Sequence, residues 1–268
     1  MDEYGVFQNI VWDYYSKNKR PMPWREDVSP YSIFVSEVML QQTQVARVLV
    51  KYPIFMSVFP TFISLAQADT KTLLSTWQGM GYNRRALYLR SAANNIMEIY
   101  GGILPQDTAL LDDLPGIGYA TACSIAAFAY NLPVSFIETN IRRVYIHHFF
   151  KDKGIVDDKD ILKLVKETVS IGNAREWYWA LMDYGAYLAK TADNPNKKSR
   201  HYTKQKKFVG SVREVRGGIL KALLEKPRSV SALKKLFMDE RLFTALTQLE
   251  NEGFITKKGT NYSIKVKQ

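Results

Sequence analysis

A short turn with two glycines constrains this chain more than any other stretch of its sequence. The turn, Leu114-Pro-Gly-Ile-Gly118, joins two segments with helical spacing. Gly116 and Gly118 permit positive φ angles and a close approach of the backbone, and Ile117 between them can enter the core. Free N–H groups at the start of the second helix then favour an anion. The pattern is also compatible with a plain αα-hairpin that binds no ligand.

The charge of the chain indicates which anion to expect. The 268 residues include 37 Lys and Arg against 26 Asp and Glu, a net charge of +11. Such an excess is typical of nucleic-acid-binding proteins, although charge alone does not separate them from other basic proteins. We therefore expect the hairpin to contact DNA phosphate. With 46% hydrophobic residues, the chain can form one large domain or two smaller ones.

The single cysteine limits the chemistry of the chain. Cys123 lies among alanines, which favours a place in the core. One cysteine excludes an internal disulfide and any all-cysteine metal or iron–sulfur site within one chain, and we expect no metal and no other cofactor. We see no signal-peptide pattern and no apolar run of membrane-spanning length. We expect a cytoplasmic protein, associated with the nucleoid if the source is bacterial or archaeal.

Glu37 lies in the middle of a strongly apolar predicted helix, residues 32–42. Removing a carboxylate from water without a partner raises its pKa, which suits a general acid. The alternative is a structural glutamate that pairs with a buried arginine or caps a neighbouring helix. The residues by themselves leave both interpretations open.

A second acid, Glu138, lies on a turn that opens a basic helix with Asn140, Arg142 and Arg143. Such an acid can take part in chemistry on a nucleic acid. It can equally serve only as the N-cap of the helix that follows.

Two further stretches combine an aromatic ring with arginine. Trp24 and Arg25 end a basic, proline-broken loop, and such a pair can stack on a base and hydrogen-bond to it. Tyr82 lies at the tip of a glycine turn with Arg84 and Arg85 behind it, so its ring could enter the stack while the arginines hold phosphates. The alternatives are a tryptophan that covers the core and a helix start with ordinary salt bridges.

The C-terminal part has the pattern of a winged helix, and residues 190–207 before it form a basic linker or loop. The third helix carries Glu240, Glu250 and Glu252 and is a poor candidate for a groove of DNA. Lys257 and Lys258 in the hairpin are better DNA contacts, and a packing or protein-contact role is equally open. The predicted helices are 216–225, 229–237 and 240–251, and the predicted strands are 254–256 and 262–264.

Six stretches, in this order, resemble the adenine DNA glycosylases of the MutY type, in the helix-hairpin-helix superfamily that includes endonuclease III. The resemblance extends from Val6 to about Ala189. The stretches are Pro23-Trp-Arg25, Pro30-Tyr31, Ser36-Glu-Val-Met-Leu-Gln-Gln-Thr-Gln-Val45, Gly79-Met-Gly-Tyr82, Leu114-Pro-Gly-Ile-Gly118 and Asn140-Ile-Arg-Arg-Val144.

The resemblance implies an all-α fold of two helical lobes with a DNA-binding cleft between them. One lobe would comprise residues 26–133 and the other residues 1–25 with 134–208. A winged-helix-like domain, residues 209–268, would follow.

The resemblance also implies roles for individual residues in removing a flipped-out base. Glu37 would be the general acid, Glu138 the second carboxylate and Asn140 a neighbouring catalytic residue. The base pocket would contain Trp24, Arg25 and Trp179. The wedge at the opposite base would contain Gln42, Thr43, Met80 and Tyr82. Phosphates would be held by Gly116, Gly118, Arg84, Arg85, Arg142 and Arg143.

The chain departs from this family in several places. Glu138-Thr139 stands where the family has Asp-Gly, and Trp179 stands where many members have a polar residue. The four cluster cysteines expected near Ala189 are missing, and a smaller module replaces the C-terminal domain that reads 8-oxoguanine. No lysine follows the hairpin at Tyr119-Ala120, so we expect a monofunctional enzyme that leaves an abasic site.

We therefore expect a monomeric DNA glycosylase that acts on double-stranded DNA and removes adenine opposite 8-oxoguanine or guanine. One alternative keeps the fold but changes the base to uracil, to mismatched thymine or to another damaged base. Another is a lesion-binding protein without catalysis, motivated by the change at Glu138. A DNA-binding regulator built on the winged helix is the last.

Overall fold

The part of the chain that the structure describes is mainly helical and contains a small antiparallel sheet near its C-terminal end. We describe residues 3–203 and 207–265 of a computed structural model. The helices are α1 (Glu3–Asn18), α2 (Pro23–Glu26), α3 (Pro30–Leu40), α4 (Val45–Val58), α5 (Phe62–Ala66), α6 (Thr70–Trp77), α7 (Arg84–Ile99), α8 (Thr108–Asp112), α9 (Tyr119–Tyr130), α10 (Thr139–Phe149), α11 (Asp158–Thr168), α12 (Ala174–Thr191), the 3₁₀-helix Pro195–Lys198, α13 (Val212–Glu225), α14 (Val230–Phe237) and α15 (Leu242–Asn251). The strands are β1 (Arg228–Ser229), β2 (Ile255–Lys258) and β3 (Asn261–Ile264).

The described residues form two compact units, each built from two separate stretches. The first contains residues 3–38 and 104–203, and the second contains residues 39–103 and 207–265. These boundaries differ from the predicted lobes, because residues 104–133 group with α10 and α12 and the C-terminal helices group with α4–α7. Part of the predicted basic linker, residues 204–206, lies outside the described residues.

The core of the first unit forms around α12. Trp177, Leu181, Tyr184 and Leu188 are buried, and their spacing places them along one face of that helix. Helices α1, α9 and α10 pack against α12. Aromatic rings fill the space between α1, α10 and α12, and Phe7 contacts Trp177 with ring centroids 5.9 Å apart. This packing anchors the beginnings of α9 and α10, where two of the predicted site stretches lie.

The second unit contains α4–α7 and the C-terminal module, which we define as residues 212–265. Within the module, α13 packs against α15, and the sheet has the order β1-β3-β2. Strands β2 and β3 form the expected hairpin, with Ile255 opposite Ile264. The helices and hairpin predicted for this part are confirmed, whereas the two-residue strand β1 was not predicted. None of the helices described here is both long and apolar enough to cross a membrane.

Candidate active site

Glu37 lies on α3, flanked by buried apolar residues, and its own side chain is only partly accessible. The pKa of Glu37 is raised to about 7, mainly by burial and also by the negative charge of Glu138. The hydroxyl group of Ser124 and the charge of Arg25 act in the opposite direction. A carboxyl group with this pKa is partly protonated near neutral pH, and its acid form can donate the proton to a bound group.

The hydroxyl of Ser124 on α9 connects Glu37 to the backbone. Its Oγ lies 2.6 Å from Oε2 of Glu37 and 2.9 Å from the carbonyl oxygen of Thr121. A serine hydroxyl has one hydrogen and cannot serve both acceptors fully. When Glu37 is ionised, donation from the Ser124 hydroxyl stabilises its carboxylate, and this contact therefore lowers the pKa of Glu37. When Glu37 is protonated, the serine hydroxyl can donate to the carbonyl oxygen of Thr121 instead.

Glu138 is the N-cap of α10. Its Oε1 accepts hydrogen bonds from the backbone N–H groups of Asn140 at 2.7 Å and Ile141 at 2.8 Å. Its Oε2 accepts from Nδ2 of Asn140 at 3.2 Å. Burial raises the pKa of Glu138, whereas these backbone hydrogen bonds and the charges of Arg143 and Arg142 oppose the rise. The capping interpretation of Glu138 is therefore confirmed, and a capping carboxylate can still present its charge to a substrate.

Asn140 is held from both sides of its amide. Its Nδ2 donates to Glu138, and its Oδ1 accepts from Nη1 of Arg143 at 2.7 Å. The same Nη1 donates to the carbonyl oxygen of Gly185 on α12 at 2.8 Å. Arg142 forms a double hydrogen bond with Asp158, at 2.8 and 2.6 Å. Both arginines predicted as phosphate contacts thus have partners within the protein, and Arg143 orients the amide beside Glu138.

Arg25 belongs to a buried ion pair. Its guanidinium donates to both carboxylate oxygens of Asp183, at 2.8 and 2.9 Å, and the side chains are 4% and 0% exposed. Arg20 donates to the same carboxylate through Nε at 2.6 Å. The guanidinium carbon of Arg25 lies 5.2 Å from the ring centroid of Trp179, and Trp24 is buried. Two of the predicted pocket residues, Arg25 and Trp179, therefore lie together, and the guanidinium of Arg25 is directed at Asp183.

The two glycines of the hairpin differ in conformation. Gly116 has φ +78°, as expected, and Ile117 behind it is buried. Gly118 does not use the positive φ that glycine permits, because it is the extended N-cap of α9 with φ −110°. A Cβ at Gly118 would meet no atom within 4 Å, so this position is open. The N-cap of α9 makes no side-chain hydrogen bond to the first turn, and a helix N-terminus is the end that favours an anion.

The predicted wedge lies in the second unit, on two turns. Gln42 and Tyr82 both have positive φ, 51° and 47°, and both side chains reach the surface. Met80, also predicted for the wedge, is only 1% exposed, so its side chain does not reach the surface in this structure. Its apolar side chain instead anchors the turn in the core. Thr43 is partly buried, and its hydroxyl accepts a hydrogen bond from Arg85 at 2.9 Å.

Arg85 holds the two wedge turns together. It is buried, and its guanidinium donates to the carbonyl oxygens of Met39 at 2.9 Å and Gln41 at 2.6 Å, and to that of Gly81 at 3.1 Å. The prediction of a phosphate contact at Arg85 therefore needs correction, since its two Nη groups donate to backbone carbonyls and to the Thr43 hydroxyl inside the protein. Arg84, the preceding residue, is half exposed and lies 3.4 Å from Glu252.

Sequence reasoning missed four residues at these sites: Ser124, Asp183, Gly185 and Arg213, whose Nη1 donates to the hydroxyl oxygen of Tyr82 at 2.7 Å. A serine in the apolar run of α9 and an aspartate on the buried face of α12 are weak signals for the first two, because polar residues on buried faces need partners. Gly185 in the middle of a long helix is a signal of close packing. No local pattern distinguishes Arg213 from other surface arginines of this basic chain.

We find no group of three or more His, Cys, Asp or Glu side chains suited to a metal ion within residues 3–203 and 207–265. Cys123, the one cysteine of the chain, is buried in α9 and cannot supply the four thiolates of a cluster. The basic loop after α12 is instead tied by hydrogen bonds. Nδ2 of Asn196 donates to the carbonyl oxygen of Thr139 at 3.0 Å. The backbone N–H of Val156 donates to the carbonyl oxygen of Lys198 at 2.8 Å.

Comparison with known proteins gives consistent results. The sequence profile of the HhH-GPD superfamily of base excision DNA repair proteins matches residues 35–170. An adenine DNA glycosylase of Mycobacterium tuberculosis (strain ATCC 25618 / H37Rv) is 35% identical over 243 residues, 80% of this chain and 76% of that protein. The adenine DNA glycosylase of Homo sapiens is 36% identical over 151 residues, 53% of this chain and 28% of that protein.

Solved structures show the same fold. A thermostable thymine-DNA glycosylase aligns with a TM-score of 0.67 and 24% identity, over 73% of this chain and 92% of that chain. A non-covalent endonuclease III–DNA complex aligns with a TM-score of 0.55 and 16% identity, over 70% of this chain and 86% of that chain. At such identities the likeness concerns the fold alone.

Proposed function

Because the chain belongs to the HhH-GPD superfamily of base excision DNA repair proteins, we propose that it is a DNA glycosylase that removes adenine opposite 8-oxoguanine or guanine. The adenine DNA glycosylases that resemble it over most of its length support adenine as the base. The observation that carries the proposal is the carboxyl group of Glu37, which lies among buried apolar residues of α3 and has a pKa of about 7, as suits a proton donor. We further propose that it acts as a cytoplasmic monomer on double-stranded DNA.

The first step is protonation of the flipped-out base. Glu37 in its acid form donates a proton to a ring nitrogen of adenine, and the base becomes a better leaving group. The bond between C1′ and N9 then breaks, and its electron pair goes to the base. Glu37 is left as a carboxylate, which the Ser124 hydroxyl can stabilise by donating to it.

The second step completes the hydrolysis. Breaking the bond leaves a cationic sugar, and the carboxylate of Glu138 would stabilise this charge. Three N–H donors, two from the backbone and one from Asn140, favour the ionised form of Glu138. Water adds its oxygen to C1′, and its proton returns to Glu37. The products are adenine and an abasic site, with the acid regenerated.

No strand cleavage is expected from this site. Tyr119 and Ala120 follow the glycine turn, and neither side chain carries an amine that could form a Schiff base with the sugar. We place the phosphate backbone of the DNA at the open N-terminus of α9, beside Gly118.

The test is single-turnover base release from duplexes with A opposite 8-oxoguanine, A opposite G, U opposite G and T opposite G. Glu37→Gln and Glu138→Gln are compared with wild type, and Glu167→Gln, an exposed glutamate of α11, is the matched control. We expect adenine release that is lost in Glu37→Gln, reduced to a small residual rate in Glu138→Gln and retained in the control. Release of U or T but not A would overturn the proposal that adenine is the substrate. No release from any duplex would overturn the proposal that the protein is an enzyme.

A further inference from the structure

The C-terminal module contacts Tyr82, the aromatic residue at the tip of a loop that we call the glycine loop, residues 79–82. Both belong to the second compact unit. Nη1 of Arg213, at the start of α13, donates a hydrogen bond of 2.7 Å to the hydroxyl oxygen of Tyr82. The guanidinium carbon of Arg213 lies 5.6 Å from the centroid of the Tyr82 ring. These two residues are 131 positions apart in the chain. The contact therefore depends on how the module packs and is not a property of the loop sequence.

The backbone of this loop adopts conformations that need support. Gly79 and Gly81 have φ +90° and +71°, and Tyr82 itself has φ +47°. Positive φ is unfavourable for a bulky side chain and persists only where the surroundings hold it. Arg85 supplies part of this support, since it donates to the carbonyl oxygen of Gly81 and its guanidinium carbon lies 5.7 Å from the Tyr82 ring. Arg213 holds the other end of the side chain.

A second contact fixes the module beside the loop. Glu252, at the end of α15, lies 3.4 Å from Arg84, the first residue of α7 after the loop. Its Oε1 also accepts a hydrogen bond from Nη1 of Arg216 on α13, at 2.7 Å. The acidic character of α15 thus has a structural use, because Glu252 joins the module to the base of the loop. The same acid makes α15 unsuited to a DNA groove.

We propose that Arg213 is a positioning residue that holds Tyr82 for insertion into DNA next to the base opposite the excised one. The Tyr82 side chain is 36% exposed on a tight turn, and an aromatic ring so presented beside cations is suited to stacking between bases. By fixing the hydroxyl end of the ring, Arg213 reduces the conformational freedom that insertion would otherwise cost. This inference takes the mismatched base pair from the proposed function. It concerns the insertion of Tyr82 into DNA and not the removal of the base.

The experiment measures insertion directly. Duplexes carry A opposite G with 2-aminopurine beside that G, whose fluorescence rises when its stacking is disturbed. Tyr82→Phe, Arg213→Ala and the double variant are compared in a Glu37→Gln background, so that the adenine is retained. We expect each single change to weaken binding about three- to tenfold and to reduce the fluorescence rise, with no further loss in the double variant. Arg213→Lys should recover part of the signal.

The controls separate positioning from general charge and from folding. Lys221→Ala removes a cation from an exposed position of the same helix, and we expect it to leave both signals within twofold of the parent. Multiplicative losses in the Tyr82→Phe, Arg213→Ala double variant would overturn the proposal. So would an unchanged fluorescence rise in Arg213→Ala, or a Lys221→Ala loss equal to that of Arg213→Ala. Thermal melting of each variant identifies any that does not fold, and Arg213→Lys then carries the test.

The two proposals can fail separately. If no duplex loses its base but the coupling between Tyr82 and Arg213 is observed, the proposed function fails and the positioning role of Arg213 stands. If adenine is released but the two residues act independently, the proposed function stands and the role of Arg213 is overturned.

Discussion

A Cβ atom at Gly185 would lie 2.5 Å from the carbonyl oxygen of Asn140. Helices α12 and α10 therefore meet backbone to backbone at the first turn of α10, directly after Glu138. We predict that Gly185→Ala displaces this turn and slows base release about a hundredfold, since small displacements of reacting groups have effects of this size. The loss of stability should be about 1–3 kcal/mol. Single-turnover kinetics and thermal melting measure the two effects.

Gly217→Ala is the matched control for this change. Gly217 also lies within a helix, but a Cβ there meets no atom within 4 Å. It should therefore keep full activity and gain slight stability, because alanine favours the helix. Unchanged kinetics in Gly185→Ala would show that the contact does not position Glu138.

Gly118→Ala should affect DNA binding but not the fold. The residue has an extended conformation, and its Cβ would point into open space. We expect an unchanged melting temperature and an affinity for DNA about tenfold lower, because the new methyl group would obstruct the approach of a phosphate to the α9 N-terminus. Gly154→Ala, in an equally open loop, provides the comparison. Equal affinities for these two variants would contradict a phosphate site at the hairpin.

Glu37 should make stability depend on pH. Its pKa is raised from an ordinary 4.5 to about 7 in the folded protein, so folding favours the protonated form. This stabilisation is fully present below about pH 4.5 and is lost as the pH rises through about 7. We therefore predict that Glu37→Gln is more stable than wild type at pH 8, by at most about 3 kcal/mol, with a smaller difference near pH 5. Denaturant unfolding at both pH values would detect this change, and a pH-independent difference would argue against the raised pKa.

The pH profile of base release should respond to the two neighbours of Glu37 in opposite directions. The Ser124 hydroxyl lowers the pKa of Glu37, so Ser124→Ala should extend activity to higher pH. The charge of Glu138 raises that pKa, and Glu138→Gln should move the profile of its residual activity to lower pH. The measurement is the pH at which the rate of base release has fallen to half of its maximum on the alkaline side. This midpoint does not depend on the absolute rate. Coincident midpoints in all three proteins would mean that another group titrates.

Asp183→Asn should be strongly destabilising. The substitution leaves Arg25 buried without a counter-charge and weakens the contact of Arg20. Breaking a buried pair from one side costs about 3–5 kcal/mol. Asp13→Asn, which removes the exposed pair with Lys17, should cost less than about 1 kcal/mol. Chemical denaturation measures the free energy of unfolding of both variants. Similar losses of stability in the two would show that the ion pairs of Asp183 contribute little to stability.

Much of the fold was predictable because its signals are local. Helical spacing, the glycine turn at Leu114–Gly118 and the winged-helix pattern are properties of neighbouring residues, and the corresponding elements are found where they were predicted. Glu37 was identifiable by the same reasoning, since a carboxylate on an apolar helix stands out in any arrangement. Ser124, the polar residue that contacts Glu37, was not identifiable from the sequence, because it lies 87 positions away in the chain.

The two arginines after the glycine loop show most clearly what could not be predicted from the sequence. Arg84 and Arg85 are adjacent and identical in type, yet one is half exposed and the other lies inside, bonded to backbone carbonyls. By itself, the sequence determined the helices, the turns and the acids suited to chemistry, because these depend on residues a few positions apart. Only the tertiary structure decided which arginine is buried, which backbones touch at Gly185 and that Arg213 contacts Tyr82. Those outcomes depend on packing between distant segments, which no local pattern encodes.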